Sequence, residues 1–108
     1  MIFPRTEEEV QKAIRENPLV VIQLGSETCA PCAAIRQKTD SCCRRNSLPF
    51  YYLDAETFSA FAAAESLFSV PAVLVYTEGQ LSLRECGYFS LEEIFRKVDR
   101  LQKIISAK

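Results

Sequence analysis

The chain has 108 residues, 48% of them apolar and 25% charged, with a formal net charge of −1. That length holds one domain with a real core and excludes two ordinary ones. The near-zero charge leaves no broad electrostatic basis for binding nucleic acid or an anionic membrane, and no apolar run reaches the length of a transmembrane helix.

The opening, Met1-Ile2-Phe3-Pro4-Arg5, turns acidic at Glu7-Glu8-Glu9. It lacks the basic start, apolar centre and cleavage site of a signal peptide, so the cytoplasm is the expected location. Thr6 with Glu9 three residues on is a capping box, and Val10, Ala13 and Ile14 follow at helical spacing. Asn17-Pro18 ends that helix, because the residue before proline avoids the α region. Leu19–Leu24 is apolar without strict alternation, the pattern of a central strand covered on both faces.

Gly25-Ser26-Glu27-Thr28 then turns the chain into Cys29-Ala30-Pro31-Cys32, and a second helix is predicted from Ala30 to about Cys43. Strand, loop, Cys-x-x-Cys and helix is the layout of a thiol–disulfide site. Residues three apart share one side of a helix, so a small adjustment in the first turn brings the two sulfurs together. Cys29 falls at the helix N-terminus, where unpaired N–H groups and the positive dipole end favour a thiolate. Pro31 suits the first turn, where its missing N–H costs nothing. Cys32, one turn in, is the thiol that resolves a mixed disulfide on Cys29.

Arg44-Arg45-Asn46-Ser47 reads as the helix end, and Pro49–Leu53 as a second strand. A third helix is predicted from Phe58 to about Leu67, with Phe58, Phe61, Leu67 and Phe68 in the core. After the turn Phe68-Ser69-Val70-Pro71, strands Ala72–Thr77 and Gln80–Cys86 close a hairpin through Glu78-Gly79. Ser90-Leu91-Glu92-Glu93 is a second capping box. It opens a final helix carrying Leu91, Ile94, Phe95, Val98, Leu101 and Ile104 on one face. The element order α-β-α-β-α-β-β-α implies a mixed four-stranded sheet with helices on both faces, the first three strands joined by parallel crossovers.

Three of the five cysteines lie outside the motif. Cys42 is expected to be partly buried, Cys43 an exposed thiol near the helix end, and Cys86 a buried free cysteine. The odd count speaks against a structural disulfide framework. A zinc site completed by Cys42 and Cys43 needs one ion to span ten helical residues, roughly 15 Å, so no metal is expected. There is no histidine, hence no Cys–His catalysis and no imidazole beside Cys29.

With these residues in view, the chain resembles the thioredoxin family over nearly its whole length. Three features carry the resemblance: Cys29-Ala30-Pro31-Cys32 after a central strand, the Val70-Pro71 step before another, and Gly87 after the hairpin. The resemblance implies an α/β thioredoxin-like fold, a cis Pro71 facing the disulfide, a Val70 backbone that pairs with substrate, and a Gly87 that keeps the groove open. Thr28 stands where the family usually has Trp, on the rim of that groove. Ala30 replaces the usual Gly, Gln37 a helix proline, Gln23 a buried Asp, and Phe50 the Lys that partners it. Loss of that Asp implies slower resolution by Cys32 and a changed pH dependence.

The function implied is a protein disulfide reductase that needs no bound cofactor. It would act on disulfide-containing proteins as a monomer and be reset by an external reductase or thiol reductant. Two other readings are a redox-switched binding module built on the same groove and a dimer bridging an iron–sulfur cluster through Cys29.

Overall fold

The computed structural model describes residues 1–107. Helix α1 (Glu7–Glu16) is capped by Thr6, whose hydroxyl accepts from the Glu9 N–H at 3.2 Å. The Glu9 carboxylate bonds back to the Arg5 N–H rather than to Thr6 itself, closing the box one residue further out. Strand β1 (Leu19–Gly25) is buried along its whole length. Helix α2 (Ala30–Arg45) runs unbroken for 16 residues. It is followed by β2 (Phe50–Asp54), α3 (Ser59–Ala64), β3 (Ala72–Thr77), β4 (Gln80–Cys86) and α4 (Leu91–Ser106).

The strands form one mixed sheet in the order β2-β1-β3-β4. Because side chains alternate along a strand, β1 feeds two cores. Val20, Ile22 and Leu24 pack with Val10 and Ile14 of α1 and with Phe58, Phe61 and Leu67 around α3. Leu19 and Val21 pack on the other face with Phe50, Cys43 of α2 and Ile94 and Val98 of α4. Each fully buried aliphatic side chain here contributes about 1.5–3 kcal/mol, which is why β1 tolerates no polar residue except one, Gln23.

One part of the expected topology is corrected. β1 pairs with β2 in parallel, but β3 runs antiparallel to β1, with Leu24 opposite Ala72 and Leu19 opposite Thr77. A parallel return needs a connector that spans the sheet. α3 has only 6 residues, about 9 Å of rise, so the chain re-enters the sheet at the end where β2 left it. The helix is short because Asp54 and Thr57 form a side-chain turn before it, with Asp54 Oδ2 accepting from the Thr57 N–H at 3.0 Å, and because Ser66 stands at φ 57° after it. Consequently the ends of β1 and β2 and the start of β3 meet at one edge of the molecule, together with the start of α2.

The β3–β4 hairpin turns on Glu78 and Gly79, both at positive φ, as a two-residue turn of the right-twisting kind requires. The last helix buries Ile94 and Val98, while Ile104 is 60% exposed. Ile105 makes the contact in its place, because α4 outruns the sheet that covers its earlier turns.

Candidate active site

β1 delivers Gly25 to the sheet edge, and Ser26-Glu27-Thr28 carries the chain to α2. The Cys29 N–H donates to the Ser26 carbonyl at 3.2 Å, which closes that loop. Cys29 is the N-cap of α2 in extended conformation and makes no side-chain cap bond, with Pro31 in the first turn. The first turn of this 16-residue helix carries no acidic residue, and Cys29 caps its positive end.

Cys29 and Cys32 are joined as a disulfide, their Cα atoms 5.3 Å apart. The two sulfurs are not equivalent. Cys29 is half-buried, whereas Cys32 is 0% exposed. An incoming thiol or disulfide can reach only the first of them, so attack and leaving group are assigned by burial alone.

Under Cys32 lies a polar pocket within the core. Gln23, also 0% exposed, donates through Nε2 to the Cys32 carbonyl at 3.2 Å. Its Oε1 is buried and has no partner among the described residues. Tyr52, the register partner of Gln23 on β2, reaches along the sheet to Gly25. A Cβ added at Gly25 would overlap Tyr52 Oη and stand 3.0 Å from Cys32 Cβ. A side chain at residue 25 would therefore have to displace Tyr52, whose hydroxyl fills the room beside the buried cysteine. The Arg36 guanidinium lies 4.9 Å from the centre of the Tyr52 ring, and Phe3 meets that ring edge-on at 5.9 Å. Burial pushes the Tyr52 phenol above its ordinary range, and Arg36 pulls it partly back.

Across the sheet edge, the Val70–Pro71 peptide bond is cis. Pro71 is buried and Val70 half-buried. The Gly87 N–H donates to the Pro71 carbonyl at 2.9 Å. Gly87 has φ 81°, a left-handed conformation that disfavours any side chain. Val70 borders an apolar groove of about 450 Å³ with Leu24, Ala62, Leu67 and Phe68. Thr28 lines a different concavity, of about 530 Å³, with Phe3, Glu27, Arg36 and Tyr52. The sequence-predicted residues thus come from neighbouring segments: Thr28, Cys29, Ala30, Pro31 and Cys32 from the β1–α2 junction, and Val70, Pro71 and Gly87 from the start of β3 and the end of β4, with Ala72 opposite Leu24 in register; Thr28 and Val70 border different concavities.

Three expectations are corrected. Phe68 is 87% exposed at the groove mouth, not in the core, because the turn before Pro71 lies past the last residues that α3 can cover. Cys86 is exposed: it is the last residue of edge strand β4, which has a strand neighbour on one side only. Cys43 is 1% exposed, because four-residue spacing from buried Thr39 keeps it on the side of α2 turned to the sheet. Burial pushes its thiol up to about 12. Cys42 is half-buried and accepts from Arg45 Nη2 at 3.1 Å. Gln37 sits exposed in unbroken α2, and Phe50 is buried on the same face as Gln23. Sequence reading missed the packing of Tyr52 on Gly25; Arg36 was expected as a charge near the active-site helix and stacks on Tyr52. The signal was present in a glycine closing an otherwise apolar strand two residues after a glutamine.

The thioredoxin family profile matches residues 1–100. A Dictyostelium discoideum protein that carries the name thioredoxin-5 is 25% identical over 100 residues, covering 88% of this chain and 95% of that one. Among solved structures, thioredoxin of Fasciola hepatica superposes with a TM-score of 0.82 at 22% identity, over 93% of this chain and 98% of its own. Oxidised thioredoxin of Plasmodium falciparum gives 0.79 at 23%, over 89% and 95%. A mutant thioredoxin of Halobacterium salinarum gives 0.85 at 14%, over 93% and 88%. Matched along nearly its full length in sequence pattern and in fold, the chain belongs to the thioredoxin family, and its Cys29–Cys32 pair has the spacing for that family's disulfide chemistry.

Proposed function

We propose that this protein is a thiol–disulfide oxidoreductase that reduces protein disulfides in the cytoplasm, with Cys29 as nucleophile and Cys32 as resolving thiol. The observation that carries the proposal is the disulfide with one sulfur at the mouth of a helix N-terminus and the other fully buried. In the reduced protein, the Cys29 thiolate attacks one sulfur of a substrate disulfide and expels the other as a thiol. Cys32 then attacks Cys29 in the mixed disulfide, releases the second substrate thiol and leaves the Cys29–Cys32 bond. Two electrons from an external thiol reductant or reductase restore the dithiol. The substrate backbone lies along Val70 and Pro71, with Gly87 leaving room for it and Thr28 and Ala30 on the rim.

Replacing Cys32 with Ser removes the second step. The Cys32→Ser protein is expected to accumulate mixed disulfides that a reductant releases and that Cys29→Ser abolishes. Recovery of none, with the protein folded, would count against catalysis.

A second reading, a redox-switched binding module, is favoured by one observation: two aromatic rings, Phe68 before Val70 and Tyr88 after Gly87, are largely exposed. Partner capture that survives in a Cys29→Ser, Cys32→Ser protein would support it over turnover.

A further inference from the structure

Gln23 is the one buried polar side chain on β1, and half of its amide is unused. A carbonyl oxygen can only accept, so the contact with the Cys32 carbonyl fixes Nε2 on that side. Oε1 is left as a buried acceptor without a donor among the described residues, a condition that ordinarily destabilises a fold. In the disulfide form Cys32 has no hydrogen on sulfur. Reduction breaks the Cys29–Cys32 bond with two electrons and two protons from a pair of thiols, which become a disulfide. It thereby creates a thiol S–H on Cys32, a residue 0% exposed and already one hydrogen bond away from the Gln23 amide. The acceptor stands unpartnered in the oxidised form, and reduction supplies a buried donor on the residue whose carbonyl the same amide already holds.

We propose that Gln23 is a positioning residue whose Oε1 receives the Cys32 S–H on reduction, holding the resolving thiol protonated and in place and favouring the reduced form. The inference rests on the reading that Cys29 and Cys32 cycle between disulfide and dithiol. The bond from Nε2 to the Cys32 carbonyl belongs to residues that stay adjacent in both forms, so it cancels in a redox equilibrium. The bond from Oε1 does not. A redox titration therefore separates this role from a merely structural one.

The test is the equilibrium of wild type and Gln23→Leu with reduced and oxidised glutathione at one pH. Leucine removes the orphan acceptor from the oxidised form and the thiol's partner from the reduced form, and both changes act in the same direction. The expected result is a three- to tenfold fall in the equilibrium constant for reduction, tenfold corresponding to a shift of about 30 mV to a more reducing potential. Equal constants within twofold would overturn the proposal and give the thiol's hydrogen to the Cys29 sulfur instead. Should Gln23→Leu not fold, Gln23→Met reads the same quantity. Independently, the infrared difference between reduced wild type and reduced Cys32→Ser carries the Cys32 S–H stretch. A band lowered from the free-thiol position supports the bond to Gln23, provided Gln23→Met restores it, and an unlowered band contradicts it. If the pair fails to cycle in glutathione at all, the proposed function fails; if it cycles with unchanged constants, only the role of Gln23 does.

Discussion

Helix α2 carries a pair of cysteines at each end, and the two ends have opposite chemistry. At its start, Cys29 caps the helix without a side-chain partner and is bonded to Cys32 one turn in. At its other end, Cys42 and Cys43 are neighbours in sequence, and their side chains diverge around the helix. One meets Arg45 at the surface and the other is buried against the sheet. The helix dipole favours a thiolate at the first end and disfavours it at the second. Cysteine content alone says little; the position of each sulfur along one helix decides which pair can exchange disulfides.

The largest expected effect is the loss of all disulfide turnover in Cys29→Ser, with Cys42→Ser retaining it; equal losses would erase the contrast between the ends. Next is an alkaline effect at the far end. The Cys43 thiol is raised from 9.0 to about 12 by burial first, with Cys42 and Asp40 adding to it. Between those values the unfolded chain has released a proton that the folded chain keeps, so the unfolded state gains. Stability is complete below pH 9 and falls above it by at most about 1.4 kcal/mol per pH unit. Denaturant titrations from pH 8 to 11 should show that decline, and Cys43→Ala should flatten its early part, since the buried Tyr52 and Tyr76 phenols are also raised and act at higher pH.

Gly25→Ala probes the start of α2. Its methyl group meets the Tyr52 hydroxyl and Cys32 Cβ, and overpacking of this kind costs about 1–3 kcal/mol. Chemical denaturation measures it, and Tyr52→Phe in the same chain should return part of the loss. The smallest effect is that of Arg45→Ala. Removing this exposed donor to Cys42 should change stability by no more than about 0.5 kcal/mol and leave turnover intact.

The fold was legible because periodicity and caps dominate it. Thr6 and Ser90 both accept from the N–H three residues on, as their capping boxes implied, and the apolar run Leu19–Leu24 is buried on both faces. Cys29 and Cys32 were legible from spacing and context. The direction of β3 was not, because it depends on how few residues of α3 stay helical between a side-chain turn and a positive-φ serine. Phe68, Cys43 and Cys86 were misplaced for a related reason: hydrophobic character says that a residue can be buried, and only the tertiary arrangement says whether a neighbour arrives to bury it. The Tyr52–Gly25 contact joins two strands across the sheet and leaves no local pattern.

The central claim is that the start of α2 activates Cys29. Its most direct test is the rate of alkylation of Cys29 against pH in the reduced protein, followed by mass spectrometry of the modified peptide alongside that of Cys42. Half-maximal reactivity of Cys29 well below the ordinary thiol value of about 8.5, and below that of Cys42, is the predicted result. A Cys29 midpoint at or above that value would contradict it.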